Sequence, residues 1–441
     1  MNFNQYLYRE VVTMQKRKGF VKTLSAIFVI AGFCLIPALS AAEVVMPTAY
    51  TADELAKVRE WEKTWVGKKI DKTNVDQVAQ YMPESYVGLY KNPETWGAPA
   101  EGLWFTIVPY ETVQETKGFI EATKKYAPQV KKNPDGTIAN YAEIAGFPFP
   151  NPKDGFEMAY NYEFNNHGDT IKYRRFSPNI NPKSKTERLA DQEYTEFFFI
   201  HRTELDPKPA LPASENPKGA HRGYFLHMFK PPEFLNTRMY NLRYIDPNKE
   251  DDAYLWYSQF RRIRRLSTAQ RCDSIDGSDL IYDDEYFWDG QLIRNTYTAK
   301  GKKDLLCARH NDMKKTKREI GQGIVNGLQL ERCNTLVVDV INKDKNYIYS
   351  KRVWYLDPET FIILWTEIYD SNGKFWKCFM QNCNVLPTAI GDKKQVIVGT
   401  QFEEFQRTHS GLSDQQYFYD PKISEPQSTE MFTVNYLQKT Y

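Results

Sequence analysis

The chain has 441 residues, 41% of them hydrophobic and 15% aromatic, which is ample core material and excludes disorder over the whole length. With 58 Lys and Arg against 56 Asp and Glu the formal charge is only +2, so no global electrostatic pull toward polyanions such as nucleic acid exists. The 29 Tyr, 26 Phe and 9 Trp favour strands over helices.

At the N-terminus, Lys16, Arg17, Lys18 and Lys22 lead into "TLSAIFVIAGFCLIPALSAA", with the small residues Ala38, Ser40, Ala41 and Ala42 at its end. This order predicts a secretory signal peptide over 1–42, cleaved after Ser40 or Ala42, and therefore a periplasmic protein. An uncleaved anchor is the alternative, although the apolar run falls short of the ~20 residues that a span needs. Cys272, Cys307, Cys333, Cys378 and Cys383 remain after the signal. An oxidising compartment permits disulfides but the sequence does not fix their pairing. On one continuous strand Cys378 and Cys383 would stand ~16 Å apart and would bond only across a bend.

The region 43–150 reads as helical. "TADELAKVREWEKTWVGKKI" puts Thr51 and Glu54 at capping-box spacing and Leu55, Val58, Trp61 and Trp65 along one face, which predicts a helix. "TNVDQVAQYM" repeats the device with Thr73 and Asp76 and stops at Pro83, and "ETVQETKGFIEATKKYA" gives a third helix stopped by Pro128. "GFPFPNP" at 146–152 alternates Pro with other residues and reads as an extended connector.

From about residue 160 the pattern turns to strands. "EYTEFFFIHRTEL", "GYFLHMFKPP" and "TRMYNLRYID" are aromatic-rich or alternate with period two, the first two separated by the Pro-rich "DPKPALPASENPKG". "TLVVDVI", "YIYSKRVWYL", "TFIILWTEIYD" and "KFWKCFMQ" are linked by "NKDKN", "DPE" and "SNG", links too short for anything but antiparallel neighbours. "KQVIVGTQFEEF" adds a strand and "STEMFTVNYLQ" a closing helix. The predicted fold is α+β, mainly antiparallel β, with a large curved sheet over 151–441.

Arg261, Arg262, Arg264 and Arg265 form a basic run, but export and the acidic run after it argue against nucleic acid. Salt bridging between strands, or contact with an anionic lipid headgroup, fits better. Asp273, Asp276 and Asp279 are spaced by three, which fails the calcium-loop pattern. The sequence instead predicts a structural charge clasp, with Arg262, Arg264, Arg265 and Arg271 facing Asp273, Asp279 and Asp283 across neighbouring strands. "GQGIVNG" at 321–327 lacks the strand and helix of a phosphate loop. Cys307 and His310 have no second metal-ligating pair, and no "GxSxG" elbow accompanies the scattered His167, His201, His221, His227 and His409. No catalytic residue, metal or cofactor is predicted.

Phe197, Phe199, Phe225, Trp256, Trp354, Ile363 and Trp365 stand on the predicted strands. They form either a filled core or the lining of an apolar groove that holds a lipid chain.

The stretch "YLWYSQFRRIRRLSTAQRCDSIDGSDLIYDDEYFWDG" at 254–290 resembles the signature of the domain-of-unknown-function 1329 family: an aromatic strand, "RRxRR", "QRxDS", "GxD" and "YDD". "NYAEIAGFPFPNP" resembles that family's "aGlPFPxP" segment, and "VWYLDPETFIILWTEIYDSNGKFWK" its closing hairpins. The resemblance implies a fold similar to the lipoprotein carriers LolA and LolB, a half-open antiparallel barrel closed by helices around an apolar cavity. It implies a periplasmic, non-enzymatic carrier of a lipid, a lipoprotein acyl chain or another hydrophobic molecule. Its implied partner is a resistance-nodulation-division exporter or an outer-membrane protein. The alternative is an accessory module of an efflux-type exporter, or an envelope sensor, without lipid cargo. An enzyme acting on an envelope lipid comes third, because no spacing brings titratable groups together.

Overall fold

In a computed structural model of the chain the described residues are 44–93, 102–181, 186–267, 271–275, 278–316, 326–405 and 413–439. The signal segment expected over 1–42 lies outside them. Residues Glu43–Tyr441 form one compact unit.

Helix α1 (Ala52–Trp65) starts as its sequence dictates: the Thr51 hydroxyl accepts from the Glu54 N–H at 3.3 Å and the Glu54 carboxylate accepts from the Thr51 N–H at 2.7 Å. A two-residue strand, β1 (Lys69–Ile70), follows. The next predicted helix does not form. Asp71 accepts both the N–H and the hydroxyl of Thr73, at 2.9 and 2.6 Å, and this local turn takes Thr73 away from its expected capping role. Two 3-10 turns, Val75–Gln77 and Ala79–Tyr81, result. Helix α2 (Glu84–Lys91) begins only after Pro83. Strand β2 (Phe105–Ile107), helix α3 (Lys117–Tyr126) and helix α4 (Gly155–Glu163) complete this half.

Six strands then run as an antiparallel meander: β3 (Thr170–Ile180), β4 (Thr186–Phe198), β5 (Ala220–Lys230), β6 (Arg238–Tyr244), β7 (Asp252–Tyr257) and β8 (Arg262–Leu266). A second meander comprises β9 (Asn295–Cys307), β10 (Leu328–Asn342), β11 (Tyr349–Leu356), β12 (Ile363–Asp370), β13 (Phe375–Pro387), β14 (Lys393–Glu404) and β15 (Ser413–Ile423). Pairing of β15 with β3 joins the two into one 15-stranded sheet that curls as a half-open barrel. β2 lies parallel to β10 and carries β1 at its other side. Residue 150 therefore marks a change in sequence pattern, while strands from before it join the same sheet. The closing segment is a 3-10 turn, Thr429–Phe432, followed by the one-turn helix α5 (Val434–Leu437).

The second meander is covered on both faces. On one side Val58, Tyr86 and Tyr90 meet Trp365, Cys378 and Met380. On the other, Phe119, Phe147 and Tyr162 meet Trp354, Ile363 and Phe379. Cys307, Cys333, Cys378 and Cys383 are free thiols in the first of these cores, and burial pushes the Cys307 and Cys333 thiols up. The first meander differs. Its convex face is covered by Met431, Phe432 and Leu437, while much of its concave face borders open space.

Candidate ligand-binding cavity

Successive strand residues point to opposite faces, and along β3–β8 one set points inward. Leu226 is in register with Met239, and Met239 with Leu255; together with Met228, Phe234 and Tyr257 they form an apolar wall. The partly open cavity they border is about 430 Å³, within the ~300–1,000 Å³ range of small-molecule sites. Its character grades across the strands. Arg175 of β3 is in register with Gln192 of β4, and Gln192 with Met228 of β5, so polar groups line the β3–β4 side, while Met228, Met239, Leu255 and Tyr257 make the β5–β7 side apolar.

The loop that follows β8 supplies the wall opposite the sheet, through Ile275, Leu280, Tyr282 and Glu285. This is the second half of the signature stretch, and buried ion pairs hold it down. Asp289 is paired with Arg222 of β5, with Arg243 of β6 at 3.0 Å and with Arg271 at 3.3 Å. Burial alone would raise the Asp289 carboxyl, but the three guanidiniums hold it at about 2. Glu285 meets the buried Arg175 at 2.5 Å, and Asp284 meets Arg352 at 2.7 Å and accepts from the Tyr349 hydroxyl at 2.8 Å. Tyr286 and Phe287 take consecutive positive φ values of 50° and 72°, a bend uncommon for non-glycine residues. It carries the Tyr286 hydroxyl to Glu196 and Tyr173, each at 3.2 Å.

The residues expected to form a charge clasp are placed differently from one another. Arg271 and Asp283 pair with each other, Asp283 also accepting from the Tyr347 hydroxyl at 2.7 Å. Asp279 is buried and its carbonyl accepts from Lys377, while Asp273 is exposed at the cavity rim. Arg265 does not face Asp279 or Asp283; it pairs with Asp252 at 3.0 Å on the convex side. Arg262 and Arg264 are exposed and make no ion pair among the described residues. The reason is register. Tyr257 opposes Arg262 and Leu255 opposes Arg264, so these two arginines project from the concave face, while the anchoring arginines come from β3, β5, β6, β11 and the loop.

None of the seven residues expected to line a groove borders this cavity. Phe197 and Phe199 pack on Phe432 at 6.2 and 5.7 Å, Phe225 on Tyr436 at 5.4 Å, and Trp256 sits beside that convex cluster. Trp354 and Ile363 lie in the core beneath α4, and Trp365 in the opposite core, where its indole N–H donates to the Leu306 carbonyl at 3.0 Å. Alternation separates two faces of a strand but does not say which one the closing segment covers. Tyr224 and Leu226, each one position from Phe225, and Met228 two further on carry the cavity side.

Among the described residues no His, Cys, Asp and Glu group has the arrangement of a metal site. No helix among them is long and apolar enough to cross a membrane.

Residues 69–438 match the family model described as a protein of unknown function, DUF1329. The uncharacterized protein PA3922 of Pseudomonas aeruginosa is 23% identical over 322 residues, 69% of this chain and 66% of that protein, just under two thirds of its length. A solved Vibrio parahaemolyticus domain named for outer membrane lipoprotein sorting is 17% identical, covering 65% of this chain and 98% of its own with a TM-score of 0.46. A DUF1329 family protein from Desulfovibrio piger is 12% identical, covering 64% and 97% at a TM-score of 0.45. The LolA superfamily protein NE2245 from Nitrosomonas europaea is 12% identical, covering 65% and 100% at 0.38.

Proposed function

The chain belongs to the DUF1329 family, and we propose that it is a non-enzymatic carrier or binding protein for a lipid, a lipoprotein acyl chain or another hydrophobic molecule. The observation that carries this reading is the cavity of about 430 Å³ between the concave face of β3–β8 and the segments 271–275 and 278–289. Leu226, Met228, Met239 and Leu255 offer apolar surface there, and each Å² of ligand surface removed from water is worth about 25 cal/mol. Arg175 and Gln192, on the β3–β4 side of the cavity, supply the few oriented hydrogen-bonding groups that fix an amphiphile's direction.

The working place is the periplasm, a reading supported by the basic-then-apolar order of residues 16–42. A carrier there must pass its cargo on, and a resistance-nodulation-division exporter or an outer-membrane protein is the proposed recipient. Native mass spectrometry after detergent-free isolation tests the reading: a co-purifying lipid, or saturable uptake of a fluorescent fatty acid, is the expected result. Repeated lipid-free preparations with no uptake would overturn it.

A further inference from the structure

We propose that the open end of the cavity docks on an anionic phospholipid surface, with Phe260 and Leu235 entering the headgroup region and Arg261, Arg262 and Arg264 meeting lipid phosphates. Two hairpin turns form this end. Between β5 and β6 the turn exposes Leu235 at 48%, and between β7 and β8 the turn exposes Phe260 at 69%. These are large apolar side chains held out in water at neighbouring tips. The tips are tied together, the Ser258 hydroxyl donating to the Leu235 carbonyl at 2.5 Å and the Gln259 amide to the Pro232 carbonyl at 3.4 Å. They are also tied to the cavity. Phe260 lies 6.1 Å from the Tyr257 ring, and Tyr257 lies 6.3 Å from Phe234; Tyr257 and Phe234 are both cavity walls.

The charge around the tips is polarised. Lys230, Arg261, Arg262 and Arg264 are exposed at this end. The acidic side chains near them include Glu233, paired with Arg188 at 3.4 Å, Glu187, which accepts from Asn181 at 3.1 Å, and the buried Asp191, in register with Lys230 and paired with Arg174 at 2.7 Å. At the opposite end of the same strands the β6–β7 turn exposes Asp246, Lys249 and Glu250, a mixed set without the basic excess of the tips. Arg262 and Arg264 stand on the concave face of β8, which pairs with β7 alone among the described strands, so they border the route from the tips into the cavity. Apolar tips ringed by guanidiniums fit an interface of acyl chains beneath phosphates, and they give the free basic run of the signature stretch an occupant. Arginine on an edge strand also discourages strand addition by another chain.

Docking concerns a different surface from cargo binding, so the two are separable. The purified full chain is co-sedimented with vesicles of phosphatidylethanolamine and phosphatidylglycerol, and with vesicles of phosphatidylcholine alone, at low and at 0.5 M salt. The N-terminal segment is common to every variant, so differences between variants report the tips. The expected result is binding to the anionic vesicles, weakened by salt, and about tenfold weaker for Arg262→Ser with Arg264→Ser. Phe260→Ser is expected to lower it severalfold while leaving fatty-acid uptake in free solution unchanged. Equal binding to neutral vesicles, or wild-type binding by both variants, overturns the docking proposal. So does the absence of vesicle binding by a protein that crosslinks through this end to a soluble protein. Loss of uptake in the wild-type chain with docking intact would instead overturn the carrier reading.

Discussion

Tyr224 and Phe225 are neighbours on β5 that serve opposite faces of one sheet: Tyr224 lines the cavity, and Phe225 packs its ring 5.4 Å from Tyr436 on the convex side. Substitutions on the two faces should separate binding from stability. Leu255→Trp adds bulk to open space and is expected to lower fatty-acid uptake at least fivefold, with a stability change of about 1 kcal/mol or less. Phe225→Ala empties a packed site and is expected to cost about 3 kcal/mol while the folded fraction still takes up ligand. Urea unfolding and uptake measured side by side check both. Normal uptake by Leu255→Trp would remove the cavity from the functional account.

This relationship also shows how far the sequence could be read. Meander, strand order and the first cap follow from local signals, because short links force antiparallel pairing and Thr51 with Glu54 closes a capping box within four residues. The cavity does not follow from local signals. Its lining alternates with the most aromatic positions, and only the docking of Phe432 and Leu437 from the far end of the chain decides which face is sealed. The alternation of arginines and aspartates is legible as a charge pattern, and Arg271 and Asp283 do meet. Arg222 and Arg243 lie 67 and 46 residues upstream of Asp289, so no local spacing ties them to it.

Gly146 in "GFPFPNP" has φ of +73°, and a side chain there would begin 2.4 Å from the Thr123 N–H nitrogen and 2.8 Å from its Cα. Backbone cannot yield as a flexible side chain would. Gly146→Ala should therefore cost at least about 2 kcal/mol, combining strain with overpacking. Gly88 lies inside α2 with nothing within 4 Å of a built Cβ, so Gly88→Ala is expected to stabilise by up to about 1 kcal/mol. Chemical denaturation of the pair decides the matter; equal midpoints would contradict the close approach at Gly146.

Asp289 carries the loop's attachment. Asp289→Asn leaves Arg222, Arg243 and Arg271 buried around a neutral amide, and is expected to cost about 3–5 kcal/mol. The wild-type carboxyl is held near 2 against an ordinary 3.8. Because its folded value is depressed, its contribution is complete above about pH 4 and is lost as pH falls from there through 2, about 2 kcal/mol in all. Protease susceptibility between residues 271 and 289 gives a local readout. An Asp289→Asn loop as resistant as wild type would show that the arginines do not anchor it.

His201 sets a second pH dependence at milder acidity. Burial lowers it to about 3, opposed by the hydrogen bond in which its Nε2 meets the Tyr141 carbonyl at 3.0 Å. Its ring stacks on Phe164 at 3.7 Å and lies 4.9 Å from His221, which burial and the positive charges of Arg222 and Arg243 also push down. Both imidazoles are neutral in the fold, whereas an unfolded chain takes up their protons below about 6.5. Stability should therefore fall as pH drops from about 6.5 toward 3, by about 1.4 kcal/mol per pH unit for His201 alone, or about 2 kcal/mol by pH 5. His221 adds in the same direction. Residue 201 has φ of 63°, a conformation that Asn tolerates, so His201→Asn removes the titration with least backbone strain and should flatten the slope. Urea midpoints at pH 7.5, 6 and 5 measure it, and a wild-type protein equally stable at all three would sink the idea.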